Sequence, residues 1–181
     1  MFKPIKVIVC CDKNNGIGVD NNLPWKINKE MEIFKQKTIG NNNNCVIMGS
    51  NTYYSIPKKY RPLAKRKNCI VTRNSKYDLD NDNNIYINNL DISLEDFLKK
   101  TNYENYWIIG GELIYKTVMN KYINSIDEIH ISIIEEVFNC NKFFPEINKD
   151  IFKIISKTHY KDDNFSHYIY KNINHQSKDY L

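Results

Sequence analysis

Short apolar runs alternate with amphipathic stretches along the chain. IKVIVC (5–10), CVIM (45–48), NCIVT (68–72), IYI (85–87), YWII (106–109) and EIHISII (128–134) predict strands. Several of them are apolar at nearly every position, the pattern of central strands covered on both faces. Between them, helices are predicted over 28–38, 50–56, 93–100 with Ser93 as N-cap, and 112–119. Alternation of strand and helix argues an α/β fold with a mostly parallel sheet. The chain then changes character: from Phe152 to Ile173 it reads as two alternating strands around a polar turn at Asp162-Asp163-Asn164, an antiparallel hairpin closing one sheet edge.

Composition narrows the class. A length of 181 residues suits one domain, 1–181, with a sizeable core, and hydrophobic residues make up 41%. No apolar run approaches the roughly 20 residues of a membrane span, so a soluble chain is expected. The start, MFKPIKVIVCCDKNNG, holds only a brief apolar segment before Asp12 and Lys13, and no export signal is expected. Five cysteines, odd in number and without close zinc-type pairs, suit reduced thiols in the cytoplasm and no metal site. The net charge of +5 is spread along the chain without a basic block. It favours anionic small molecules over nucleic acid, whose binding would call for a clustered stripe or a motif.

Four places depart from what packing alone would choose. On a helix from Asn28, Ile27, Glu30, Met31, Phe34 and Thr38 share one face, while Lys29, Glu32, Lys35 and Gln36 share the other. Glu30 is therefore turned toward the apolar side, where an isolated carboxylate costs several kcal/mol, on the order of 3 to 5, unless it is paired or protonated. Either the helix is rotated or starts later, or Lys37 neutralises the acid, or its partner is a ligand. Just before this helix, NNGIGVDNNLPW combines Gly16 and Gly18 with the rigid apolar wedge Leu23-Pro24-Trp25, a composition suited to a lid.

The third place is IIGGELIY (108–115), where Gly110 and Gly111 follow a buried strand and open a helix. Glycines let a ligand approach the backbone there, and free N–H groups at a helix start favour phosphate, although this is not the G-x-G-x-x-G fingerprint. The fourth is RPLAKRKN and VTRN, which put Arg66 and Arg73 at opposite ends of one strand, each able to grip a separate anion or to remain a solvated charge.

Taken together, GIGVDNNLPW, the acid five positions beyond Trp25, VIMGSNTYYSIP, RPLAKRKN, IIGGELIY and FFPEI resemble the dihydrofolate reductase family in order and spacing, from about Ile5 to Asn172. The resemblance implies an eight-stranded, mostly parallel central sheet with a C-terminal antiparallel hairpin and about four flanking helices. It implies NADPH-dependent reduction of 7,8-dihydrofolate by hydride transfer, in support of thymidylate and one-carbon metabolism, by a monomer that also binds antifolates. Glu30 would hold the pterin's amino group and ring nitrogen and promote its protonation, with Ser132 in place of the family's usual threonine, and Leu23 and Trp25 closing over the reacting rings. Ile8, Val9, Met31, Phe34, Ser55, Ile56, Leu63, Ile109 and Tyr115 would line the folate cleft, and Arg66 would hold the carboxylate of the glutamate tail.

For the cofactor, the resemblance implies that Gly49, Ser50, Asn51 and Thr52, and Gly110, Gly111, Glu112, Leu113 and Ile114, cradle the diphosphate. Cys10, Ile17 and Tyr115 would lie near the nicotinamide, Thr72 and Arg73 would grip the adenosine 2′-phosphate, and Gly18, Val71 and Ile109 would also contact the cofactor. Ser50, Asn51 and Leu113 replace residues that are basic or polar in relatives, and Glu112 adds negative charge, so weaker cofactor binding is expected. Two alternatives differ in class: a reductase of the same fold acting on a riboflavin-pathway pyrimidine, and a binding module without catalysis.

Overall fold

A computed structural model describes residues 5–73 and 84–175, without the side chains of 91–93. Eight strands form one sheet: β1 (Ile5–Cys11), β3 (Asn44–Gly49), β4 (Lys67–Val71), β5 (Ile85–Ile87), β6 (Asn105–Gly110), β7 (Ile126–Ile134), β9 (Phe152–Tyr160) and β10 (Phe165–Asn172). Their spatial order is β5-β4-β3-β6-β1-β7-β10-β9. Every pairing from β5 across to β7 is parallel, and β10 pairs antiparallel with both β7 and β9. The expected mostly parallel sheet with an antiparallel C-terminal hairpin is thus present. A separate small ribbon joins β2 (Gly16–Gly18) to β8 (Lys142–Phe143), neither of which the apolar periodicity marks.

Burial follows the sequence pattern in the middle and departs from it at the edge. Strands β1, β3, β6 and β7 are buried at most positions because helices cover both faces of the parallel part. Strand β9 does not show the expected alternation: Ile154 and Ile155 are both exposed, since an edge strand with no layer over it has no inner face.

Four helices flank the sheet: α1 (Asn28–Ile39), α2 (Ser50–Ser55), α3 (Leu90–Lys100) and α4 (Glu112–Lys121). Helix α1 ends at Gly40, whose positive φ of 51° and N–H bond to the Gln36 carbonyl close the last turn. Helix α3 begins three residues earlier than the sequence suggests, so Ser93 lies inside it and is not its N-cap; Leu90, buried in the core, draws the start forward. Among the described residues no helix is long and apolar enough to cross a membrane.

The two faces of the sheet carry different cores. Ile5, Val7, Val9 and Cys11 of β1 join Ile129 and Ile131 of β7 in the larger cluster, together with α3 and α4 residues. The opposite face gathers Ile8, Val46, Met48, Tyr53, Ile70 and Trp107, with Phe34 of α1 packed against them.

Candidate active site

The sheet register sets the site. Cys10 of β1 pairs with Ser132 of β7, which pairs with His167 of β10, so three polar side chains sit in a row on the face that α1 covers. Glu30, in the first turn of α1, is directed at this row, next to buried Ile33. Burial lifts the Glu30 carboxyl from the ordinary 4.5 to about 7, opposed by a hydrogen bond from the Ser132 hydroxyl. Among the described residues Glu30 has no ion-pair partner, and Lys37, one of the sequence-based alternatives, does not pair with it. The acid is partly buried and uncompensated by any cation, which leaves the ligand reading of its orientation.

Around Glu30 the predicted residues divide. Phe34, Ile56, Leu63 and Ile109 pack with Ile8 in one cluster, as a shared cleft wall requires. Val9 is not with them; its side chain lies in the core on the other face, as strand alternation dictates. Met31 does not share the packed stripe of α1 either. It is 52% exposed, because the helix seats Ile33 against the sheet instead and turns position 31 away. Ser55 is exposed, its hydroxyl donating to the Thr52 carbonyl at 2.7 Å. Tyr115 of α4 is buried and donates its hydroxyl to the Ile8 carbonyl at 2.8 Å, which ties α4 to the centre of β1.

At the mouth, Trp25 is partly buried against Phe138, ring centroids 5.2 Å apart, in a cluster with Cys10 and Ile27. Its indole nitrogen is buried beside the Cys10 thiol, whose pKa it helps hold down against burial, and it has no oxygen acceptor. Leu23, two residues earlier, is 61% exposed. The loop that carries both is latched by Asp12, whose carboxylate accepts N–H bonds from Asn14, Gly16 and Phe138 at 2.8, 2.7 and 2.9 Å. Asp12 escapes a sequence reading because nothing local distinguishes it from an ordinary turn aspartate; its third bond comes from a residue far along the chain.

Arg66 is held in advance. It donates to the Thr38 hydroxyl, which in turn donates to the Phe34 carbonyl at 2.7 Å, and the guanidinium lies 6.0 Å from the Phe34 ring. Partial burial lowers its pKa to about 10, so it stays cationic at neutral pH. Buried Asn68 folds the preceding loop by bonding the Leu63 N–H and the Leu63 and Arg66 carbonyls at 2.9 to 3.0 Å. A hollow of about 230 Å³ lies against this loop, from Pro62 to Asn68 and Asn84.

The two glycine-led helix starts meet at neighbouring strands. Gly49 ends β3 and precedes α2, Gly111 follows β6 and precedes α4, and β3 pairs with β6. A Cβ on Gly49 would stand 3.3 Å from Ile114 and 4.0 Å from the Gly111 nitrogen, and one on Gly111 would stand 3.0 Å from the Thr52 hydroxyl. Neither helix start has a side-chain cap. Gly110, at φ 121°, adopts a backbone that other residues rarely take, with Tyr115 packed beneath it. This narrow, uncapped, side-chain-free cradle fits a diphosphate. Ser50 and Thr52 are partly buried in it, whereas Asn51 and Leu113, the latter 67% exposed, face outward.

Glu112 is less of an obstacle to anions than its sequence position suggests. Burial alone would raise its pKa, but Lys116 at 3.0 Å, the Phe143 N–H at 3.2 Å and Lys142 at 4.0 Å outweigh that and hold it below the ordinary value. Ile17 packs on the larger core, and Gly18 accepts the Asn141 N–H at 3.0 Å in the small ribbon. On the far side, Val71 and Thr72 are partly buried, Thr72 donating its N–H to the Ile87 carbonyl at 3.0 Å, and Arg73 is exposed just past β4.

Comparison with known proteins agrees with this geometry. The family model described as "Dihydrofolate reductase" matches residues 4–177. A dihydrofolate reductase of Aedes albopictus is 34% identical over 162 residues, covering 82% of this chain and 83% of its own. That of Gallus gallus is 34% identical over 167 residues, covering 86% and 85%. A bifunctional dihydrofolate reductase-thymidylate synthase of Daucus carota is 35% identical over 156 residues, 82% of this chain but 29% of that longer protein. The acid under a Leu-Pro-Trp loop, the preset arginine, the double-glycine cradle and these matches together assign the chain to the dihydrofolate reductase family.

Proposed function

We propose that the chain reduces 7,8-dihydrofolate to tetrahydrofolate with NADPH as the hydride donor, and that Glu30 is the group that holds and activates the pterin. The observation that carries this reading is the Glu30 carboxyl, buried without a cation and with a pKa near neutrality. An ionised carboxylate in that position accepts hydrogen bonds from the amino group and ring nitrogen of a flat heterocycle, and these replace the water lost on burial. A pKa near 7 keeps both protonation states accessible at working pH, the condition for assisting proton delivery to the ring. Ser132 would steady the carboxylate, and Trp25, packed with Cys10 and Phe138, would help exclude bulk water from it.

The wall of Ile8, Phe34, Ile56, Leu63 and Ile109 would bury the body of the substrate, while Arg66 would take the tail carboxylate. A nicotinamide cofactor fits the cradle at Gly49 and Gly111, and when bound it supplies the hydride. Arg73, exposed at the end of β4, would hold a 2′-phosphate, which favours NADPH over NADH. The five cysteines are all free thiols, in keeping with action in the reducing cytoplasm.

The test is direct: purified protein should consume NADPH absorbance only when dihydrofolate is added, and an antifolate should block the loss. Turnover of a different heterocycle, or tight binding without turnover, would overturn the reading. Glu30→Gln should cut turnover roughly 10²- to 10⁴-fold at neutral pH.

A further inference from the structure

We propose that His167 is a positioning residue for the reaction: by donating a hydrogen bond from Nδ1 to the Ser132 hydroxyl, it aims that hydroxyl at the Glu30 carboxylate. The inference rests on the reading of Glu30 as the pterin acid. It concerns a residue that no motif in the sequence singles out.

The geometry is set by backbone pairing. His167 and Ser132 are direct partners across β10 and β7, with His167 Nδ1 3.0 Å from Ser132 Oγ. Both side chains are buried, at 7% and 1% exposure, so water does not compete for the contact. The titratable groups facing Glu30 are Cys10 of β1 and Tyr115 of α4, and those facing His167 are His130 of β7 and Lys37 of α1; Glu128 and Lys6 act one step removed, on His130. Burial, with His130 and Lys37 adding to it, pushes the His167 pKa down to about 4, so the ring is neutral at working pH.

Proton counting then selects one arrangement. A neutral imidazole carries a single N–H, and the Ser132 hydroxyl has one hydrogen to give. An ionised Glu30 only accepts, so the hydroxyl must donate to it, and the remaining contact to Ser132 has to be a donation from His167 Nδ1. His167 Nε2 is then a bare acceptor, and it is the buried ring nitrogen without a partner. The opposite tautomer would leave a buried N–H without an acceptor, the rarer and costlier defect. It would also draw the Ser132 hydrogen away from Glu30. His130 is arranged in parallel: its Nε2 meets Glu128 at 3.0 Å and its Nδ1 is the buried atom left over.

The experiment reads Glu30 directly in the unliganded protein, by the pH titration of its carboxylate infrared band, identified as the band missing from Glu30→Gln. His167→Phe, which keeps a ring and removes the donor, should raise the midpoint by roughly half a pH unit. Ser132→Ala should raise it at least as far, and the double variant no further than Ser132→Ala alone. His167→Asn, which offers an amide N–H, should restore the wild-type midpoint. An unmoved midpoint in folded His167→Phe, or a shift that adds fully to that of Ser132→Ala, overturns the proposal. Should His167→Phe fail to fold, nitrogen NMR of the wild-type protein decides instead: a hydrogen on Nδ1 of His167 supports the proposal, and one on Nε2 overturns it. Activity surviving in Glu30→Gln would sink the pterin assignment, a result separate from any of these.

Discussion

Replacing Glu30 with Gln should make the unliganded protein more stable at alkaline pH, even as it cuts activity. The acid's pKa is about 7 in the fold against 4.5 for the free side chain. Between those values the folded state binds more protons than the unfolded one, so stability falls as pH rises through that window and levels off above about 7. At ~1.4 kcal/mol per pH unit the loss is at most ~3.5 kcal/mol, and nearer ~2 because Glu30 keeps some contact with water. The substituted amide carries no charge, so the variant should escape this loss. Urea unfolding of both proteins at about pH 4.5 and about pH 8.5 gives the quantity of interest as a double difference, in which the other titrating groups cancel. The expected result is near-equal stability at the lower pH and an advantage of ~2 kcal/mol for the variant at the higher one. Parallel pH dependence of the two proteins would refute the claim that Glu30 is held at a cost the ligand relieves.

Other consequences follow from the same geometry. Arg66→Ala should raise the KM for dihydrofolate about 10- to 100-fold while leaving a pterin analogue without the glutamyl tail little affected, since only a charged hydrogen bond to the tail is lost; steady-state kinetics on both substrates checks this. Arg73→Ala should raise the NADPH requirement by a similar factor and that for NADH little, and equal effects on both would contradict the 2′-phosphate assignment. Gly111→Ala places a Cβ 3.0 Å from the Thr52 hydroxyl, in the cradle itself. It should weaken cofactor binding roughly tenfold or more, with dihydrofolate binding nearly unchanged, as measured by fluorescence titration. His167, neutral in the fold with a pKa of about 4 against the ordinary 6.5, gives up protons on folding. Its stabilising contribution is present above 6.5 and lost as pH falls toward 4, so His167→Phe should flatten acid unfolding between those values.

Much of the fold and part of the site were legible in residue order. Strands such as β3 and β6 announce themselves because burial on both faces demands unbroken apolar runs, a local signal. Helix α1 was legible by periodicity, and the orientation of Glu30 with it. A helical wheel gives a stripe of about 100° without saying which edge of it meets the sheet; Ile33 is the buried side chain of α1, while Met31 is exposed. Ser93 was a reasonable cap by residue type, but the packing of Leu90 moved the helix start. The β2–β8 ribbon escaped because strands of three and two residues carry no periodicity.

The sequence by itself determined the order of strands and helices, the two glycine-led helix starts and the presence of one acid on an apolar helix face, since each depends on neighbours within a few positions. Only the tertiary structure decided what that acid meets. Ser132 comes from a strand far along the chain, with His167 against it, and the pairing of β1, β7 and β10 in one particular register sets them in the row that Glu30 meets. Whether Lys37 would neutralise the acid, whether Glu112 would repel an anion, and that Asp12 would latch the loop were settled by distances across the fold. Hydrogen bonds and charges act over a few ångströms of space, and chain separation carries no record of which residues folding will bring that close.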